Sequence, residues 1–476
     1  MRKRIFPIPD REEILHGHAL RTMAKIGAPA VISSLLFTLY NLADAFWIGR
    51  LPGESAGAVM AGIQISWPFI WFIISFVTGF GTAAVTALVA QSIGANRHDE
   101  ARFALNQLFT LAVFSGLGLG LLGYVLTPHI LSLLIQEPVV SQEAGRYLAV
   151  IFLGLPTMVM PGLFYSAYSA TGDTVTPLFV NGVGILINLV LDPFLVLGWG
   201  PFPQLGILGA AYATVAAQAV AMVIFIMLFV RGTGVLRLDR SALRIHWKWM
   251  LHALRIGFPA GIGNSTVAFG FLVLMRVIGQ LENAEAALAG YGIADRIFGI
   301  LFIVTNSMGI GLTTMIGQAL GADLKDRAKE LMRKGLAAMF GILVIEAALL
   351  WLLRIPLIST FIPGNPEVIR TGARFIELFA IGMPFLGAFF AAESVYRGSG
   401  HNVPPMILGV VRLWALRIPL SYIFAFTLRM GSDGIWIGMS ISNVVSGIAS
   451  LGLLASRSWL RSRVPPLDLQ TSQPAE

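Results

Sequence analysis

Residues 91–101 read QSIGANRHDEA, and residues 318–328 read QALGADLKDRA. In both, an apolar run ends on Gln, Gly and Ala and passes at once into charge. Their separation, 227 residues, is close to the separation of much else in the chain. Gly27, Pro29, Gly49, Gly62 and Ile63 match Gly257, Pro259, Gly279, Gly292 and Ile293, all 230 residues on. Gly154, Pro156, Gly172, Pro177 and Gly206 match Gly382, Pro384, Gly400, Pro405 and Gly434 at 228. An offset that drifts so little along the chain marks a duplication, so one half predicts the architecture of the other.

The composition says which solvent the halves fold in. The 476 residues are 56% hydrophobic and 12% charged, whereas a soluble domain carries about a quarter of its residues charged. Too few charges are present to coat a water-facing surface, and lipid is the alternative. A helix needs roughly 20 mostly apolar residues to cross a bilayer. Such runs fall at about 23–49, 60–91, 103–126, 144–169, 175–198, 205–230, 251–279, 287–317, 333–353, 371–395, 403–427 and 433–455. The expected fold is an all-α integral membrane protein of twelve transmembrane helices. Six fall in each half. An even number returns the chain to its starting side, so the halves are parallel repeats about an axis along the membrane normal, with a central cavity between them as in many secondary transporters. The expected divisions are an N-terminal six-helix lobe at 1–230, a basic linker at 231–252, a C-terminal six-helix lobe at 253–460 and a flexible tail at 461–476.

The net charge is +8. In a soluble chain that balance would suggest nucleic acid, but most of the 33 lysines and arginines fall in the N-terminal tail, the even-numbered loops and the C-terminal tail. The positive-inside rule therefore puts both termini in the cytoplasm and accounts for the basic charge without nucleic acid. The first apolar run is too long for a signal h-region and reads as a span. The chain has no cysteine, which excludes disulfides and thiolate chemistry. It also lacks the HExxH, GxSxG and P-loop signatures, and an enzyme is not expected.

Charge inside a span needs a reason, since it costs roughly 2.5–3.5 kcal/mol at the bilayer centre. Asp44, in TLYNLADAFWIG, and Asp192, in INLVLDPFL, both sit a few residues from the outer ends of the first and fifth spans. One turn deeper on the same faces are Tyr40 and Asn188. Thr214 on the sixth span and Tyr147 on the fourth reach a similar depth. Two carboxylates, an amide, a hydroxyl and two phenols make a candidate cation site: hard oxygens suit Na⁺, and paired carboxylates suit a bound proton. The duplication supplies a control. Asp44, Asn188, Asp192 and Tyr147 correspond to Leu274, Leu416, Leu420 and Phe375, so packing alone does not demand polarity at those places. Pro193, after Asp192, is a possible hinge.

The second half has other charges within its spans: Arg276, Asp295, Arg296, Glu346, Glu377, Glu393, Arg412 and Arg417. Both signs are present and mutual pairing is expected, Arg374 with Glu377 for one. Glu377, Arg412 and Asp295 are candidates for a second polar site. Phe37, Tyr40, Phe46, Trp47, Met158, Met160, Phe164 and Tyr165 are candidates for an apolar substrate cavity.

These features together resemble the multidrug and toxic-compound extrusion (MATE) family over about residues 15–460. The resemblance lies in GAPAVISS (27–34) and its repeat GFPAGIGN (257–264), in the two charged loops quoted above, and in YSATGDTVTP (168–177) with YRGSGHNVPP (396–405). The Asp of the first span and the Asn and Asp of the fifth resemble the DNA-damage-inducible-like prokaryotic branch. The resemblance implies a multi-pass inner (plasma) membrane antiporter, acting as a monomer. It would exchange amphipathic, often cationic, small molecules against H⁺ or Na⁺. By that resemblance Tyr40, Asp44, Tyr147, Asn188, Asp192 and Thr214 form the cation site, with Asp44, Asn188, Asp192 and Thr214 as the Na⁺ ligands. The alternative is a flippase for a lipid-linked saccharide or other lipid, which the buried arginines Arg412 and Arg417 would serve. No cofactor is expected.

Overall fold

A computed structural model describes residues 6–51, 55–134, 138–232, 235–239 and 245–461. Most of the expected tail at 461–476, parts of the linker at 231–252, and the tail residues Arg2, Lys3, Arg4 and Arg463 lie outside the described residues. Among the described residues the regular structure is all helical. A short helix, Arg11–His16, precedes the spans. The spans are α1 (Ala19–Ile48), α2 (Ser55–Gly94), α3 (His98–Leu134), α4a (Pro138–Leu153) with α4b (Leu155–Thr171), α5 (Val175–Leu197), α6 (Ile207–Arg231), α7 (Trp247–Ile278), α8 (Ala284–Gly321), α9 (Lys325–Phe361), α10a (Pro366–Ala380) with α10b (Met383–Ser399), α11 (Val403–Thr427) and α12 (Gly431–Ala455). Among the described residues ten helices are long and apolar enough to cross a membrane, and the count reaches 12 when each bent pair is one span.

The fourth and tenth spans, expected as single helices, are broken. α4a meets α4b at 51° and α10a meets α10b at 56°. The cause is the same in both halves: Pro156 and Pro384 open the second piece of each pair, at helix positions whose N–H has no partner in the helix anyway. Gly154 and Gly382 precede them, and a side chain at either would collide with Val215 or Ser440. α11 carries wider turns at Val411–Arg417 and Ile423–Thr427. Pro419 lies between them and removes a backbone donor.

Helices of one half pack mainly on each other. In the first half Leu88, Leu105, Leu163, Phe164, Phe225 and Phe229 form one core, and Ile48, Leu148, Ile151 and Val196 a second beside it. In the second half Leu274, Tyr291, Phe298, Phe375, Phe379 and Trp436 fill the corresponding space. Large apolar side chains such as Leu39, Leu42, Phe179, Leu186, Ile345 and Leu352 are exposed, as a lipid-facing perimeter requires.

The halves meet along α1 and α2 on one side and α7 and α8 on the other. The tightest approach is where the charged loops begin. A Cβ on Gly94 would stand 2.0 Å from the Gln318 carbonyl oxygen, and one on Gly321 would stand 1.9 Å from that of Gln91. The ends of α2 and α8 thus cross at backbone contact, which only glycine permits. The crossing is braced symmetrically. Gln91 Nε2 donates to Gly398 O at 3.0 Å, and Gln318 Nε2 to Ala170 O at 2.8 Å, so each half grips the other half's bent span. Arg11 donates to Gly94 O at 2.7 Å from its own short helix, satisfying a carbonyl that the end of α2 leaves free. The basic-loop end of the molecule is therefore closed.

Candidate cation site

Asp44 lies four residues before the end of α1, and Asp192 five before the end of α5. Both are at the end of the molecule opposite the α2–α8 crossing, where Trp47 and Trp199 stack edge to face at 5.4 Å. α5 and α6 are joined by a short loop and lie side by side. α1 packs on α5, and α4a packs on α6. Four helices thus bring all six expected residues to one place.

The contacts are specific. Tyr40 Oη and Thr214 Oγ1 share a hydrogen bond of 3.0 Å between α1 and α6. Asn188 Nδ2 donates to Asp192 Oδ1 at 3.4 Å, one turn along α5. Asp44 stands close enough to Asp192 and Tyr40 to interact with both, and Tyr147 close enough to both acids to feel their charge. Asn188 and Asp192 are fully buried, and Tyr40, Tyr147 and Thr214 nearly so.

Donor accounting defines what the cluster needs. Asp44 Oδ1, Asn188 Oδ1 and Asp192 Oδ2 are buried acceptors with no hydrogen-bond partner. Two carboxyls that touch cannot both stay ionised without something positive between them. A proton shared by the acids satisfies this, and so does a hard cation held by the three free oxygens. The Thr214 hydroxyl, expected among the Na⁺ ligands, shares a hydrogen bond with Tyr40 and keeps a lone pair that a cation can use.

Among the described residues the second half has no matching cluster. Leu274 is fully enclosed in the apolar core at the place corresponding to Asp44. The expected mutual pairing of the second-half charges holds only in part. Glu377 pairs with Arg374 at 3.1 Å, and Arg374 also with Asp433 at 3.0 Å. Glu393 pairs with Arg397 at 2.5 Å. Arg276, Asp295 and Arg296 are exposed instead of buried, and Glu346 is buried with Oε2 unpartnered. Arg412 and Arg417 are buried, yet their polar partners are the neutral Asn443 and Ser442. The proposed grouping of Glu377, Arg412 and Asp295 also fails. Glu377 lines a rim recess with Arg354 and Arg374, whereas Arg412 lines a central cavity.

Two cavities, about 390 Å³ and about 360 Å³, flank α10b and share Phe390, Glu393 and Arg397. The first lies between α2, α7, α10b and α11, and the second between α2, α4b, α8 and α10b. None of the six cation-site residues lines either cavity. Of the aromatic and methionine candidates, only Tyr165 does, in the second cavity opposite its repeat equivalent Glu393. Phe164 and Met160 are core, and Phe37 and Phe46 are exposed. Sequence reading did not find the polar cavity walls at Asn264, Thr305 and Asn306. Single amides and hydroxyls in an apolar span give no signal until neighbouring helices are placed.

Two repeated six-span lobes around central cavities, with an acid pair in one lobe, make a multi-pass membrane protein with the layout of a transporter. The family model described as MatE matches residues 29–194 and again 259–423. The chain belongs to the MATE family. It is 27% identical over 451 residues to "Probable multidrug resistance protein NorM" of Thermotoga maritima, covering 93% of this chain and 94% of that protein. It is 28% identical over 433 residues to "Multidrug resistance protein PmpM" of Pseudomonas aeruginosa, covering 89% and 88%. A crystal structure of MATE in complex with MaL6 shares the fold with a TM-score of 0.86 at 20% identity, covering 94% of this chain and 98% of that one.

Proposed function

We propose that the protein is a multidrug exporter of the plasma membrane, exchanging amphipathic molecules for H⁺ or Na⁺ by alternating access, with both termini cytoplasmic. The observation that carries the coupling is the contact between Asp44 and Asp192, with three buried oxygens lacking a donor. The relatives named as multidrug resistance proteins support the substrate class.

The cycle follows from separate ion and substrate places. With the basic-loop end closed, the acid pair lies toward the other face. A cation entering there neutralises Asp44 and Asp192 and draws α1 and α5 together. Pro193, inside α5, lets that helix yield next to the acid. Repacking of the first lobe reshapes the central cavities and weakens the hold on substrate. Binding of ion and of substrate thus oppose one another, and the coupling is reciprocal.

The test is efflux of a fluorescent cationic dye in inverted vesicles, driven first by a pH gradient and then by a Na⁺ gradient, with Asp44→Asn beside the parent. Transport that follows one gradient and vanishes in the variant supports the reading and names the ion. Transport that survives the variant puts coupling elsewhere. No dye movement under either gradient moves weight to lipid-linked substrates.

A further inference from the structure

The wall of the first central cavity contains a charge that the protein does not neutralise. Arg412, on α11, lines the cavity and is 8% exposed. A guanidinium has five N–H donors. The protein gives Arg412 one long hydrogen bond, Nη1 to Asn443 Oδ1 at 3.4 Å. Its Nε is buried with no partner. The Phe389 ring lies 4.6 Å from Cζ and offers a π face but no lone pair.

The neighbours do not make up the deficit. Asn443 Oδ1 also accepts from Arg417 Nη2, so one amide oxygen serves two buried cations. Arg417 lies behind Arg412, 2% exposed, and also donates to Ser442 Oγ at 3.1 Å. Glu393 lines the same cavity and is felt by Arg412 through space, but its carboxylate is bound to Arg397 at 2.5 Å. That pair is neutral as a unit. Asp295 is exposed, and its side-chain contact is the Tyr291 hydroxyl, at 3.5 Å. The cavity wall therefore carries surplus positive charge, most of it with its donors unspent.

Unpaired buried cations are costly, and removing their compensation leaves a charge in a low-dielectric site. The compensation that fits is an oxyanion arriving with substrate, since guanidinium donors match a carboxylate, sulfonate or phosphate. The other walls suit an apolar body: Phe271, Phe389, Phe390 and Met406 line the cavity, with Asn264 as a polar contact.

We propose that the cavity beside α11 is a subsite for the acidic group of an amphipathic anion or zwitterion, anchored on Arg412. This reading does not rest on ion-coupled export. It concerns equilibrium binding in the cavity between α2, α7, α10b and α11, which neither Asp44 nor Asp192 lines.

The test uses two dyes with one fluorophore and opposite charge, dansylglycine and dansylcadaverine, titrated without any gradient onto the full-length protein in phosphatidylcholine nanodiscs. The parent should bind dansylglycine, and Arg412→Met should weaken that binding at least about ten-fold, the size of one charge-assisted hydrogen bond. Dansylcadaverine binding should hold or tighten. Arg412→Lys should recover part of the loss. If Arg412→Met does not fold, Asn264→Asp serves instead. A fixed carboxylate on the same wall should weaken dansylglycine and strengthen dansylcadaverine. Binding is read at equilibrium in the parent and the Arg412 variants at one pH and one Na⁺ concentration, so Arg412-dependent binding stands whether or not gradient-driven efflux does, and failure of the coupling mechanism and failure of this subsite are distinguishable. Nanodiscs with phosphatidylglycerol form a further arm: competition with dansylglycine there, dependent on Arg412, keeps the oxyanion site and assigns its occupant to lipid. The proposal is overturned if the parent does not bind dansylglycine, or if the variants change both dyes alike.

Discussion

Replacing Gly94 and Gly321 by alanine tests whether the α2–α8 crossing is the closed gate of a transporter or only part of its static frame. The added methyl groups would lie 2.0 Å and 1.9 Å from the facing carbonyl oxygens of Gln318 and Gln91, where ordinary contact begins near 3.4 Å. The helices must therefore separate by more than 1 Å at both points. The obstacle on each side is backbone, which has no rotamer to relax into. Overpacking of this kind costs about 1–3 kcal/mol per site. The two glutamine bonds of 3.0 and 2.8 Å that tie the halves stretch at the same time, at about 1 kcal/mol each. A combined penalty of at least about 4 kcal/mol on the closed arrangement, and none on an arrangement in which this end is open, shifts the ratio of the two by about a thousandfold or more. The protein has no cysteine, so a single cysteine at Ala170, fully enclosed here, reports opening without background. The double variant should react much faster than the parent with a soluble maleimide, and it should react from the side carrying the basic loops. If labelling is unchanged while thermal stability falls, the crossing is structural and the gate lies elsewhere.

Two further outcomes follow from the same reasoning. Asn443→Leu removes the single amide oxygen shared by Arg412 and Arg417. Arg412 then loses its one acceptor and Arg417 one of its two, and the loss should fall near 3–5 kcal/mol, seen as a large drop in melting temperature in detergent. A drop no larger than that of an exposed control, Ile448→Ala, would refute the donor accounting. Tyr40→Phe removes the 3.0 Å bond to Thr214 and frees the Thr214 hydroxyl beside the acid pair. Folding should survive, since the ring still packs, and the coupling-ion concentration for half-maximal efflux should move by several-fold, equivalent to about 1 kcal/mol. No movement in that concentration would remove Tyr40 from the cation site.

Some of the architecture was legible without coordinates because it rests on one-dimensional regularities. A helix in lipid needs a minimum apolar length, so runs of that length count spans whatever surrounds them. Duplication preserves the glycines and prolines that shape backbone, so a drifting offset is visible residue by residue. Asp44 and Asp192 stood out because an acid in an apolar helix has few bland explanations. Depth along a helix follows from residue number, and therefore the six residues of the cation cluster could be matched by depth alone.

Tertiary structure decided what depends on direction around a helix axis and on distance between helices. The glycine–proline pairs at Gly154 and Gly382 permit a bend but are compatible with a straight helix as well, and only the packed structure shows both spans broken there, by 51° and 56°. Arg412 and Glu393 have opposite charge in neighbouring spans, and nothing in the sequence rules out their pairing. Only the placement of α10b shows Glu393 turned to Arg397 on its own helix, leaving Arg412 to face the cavity. Periodicity assigns a residue to a helix, but which neighbour satisfies its charge is a matter of a few ångströms, and at low dielectric those ångströms set the electrostatic energy.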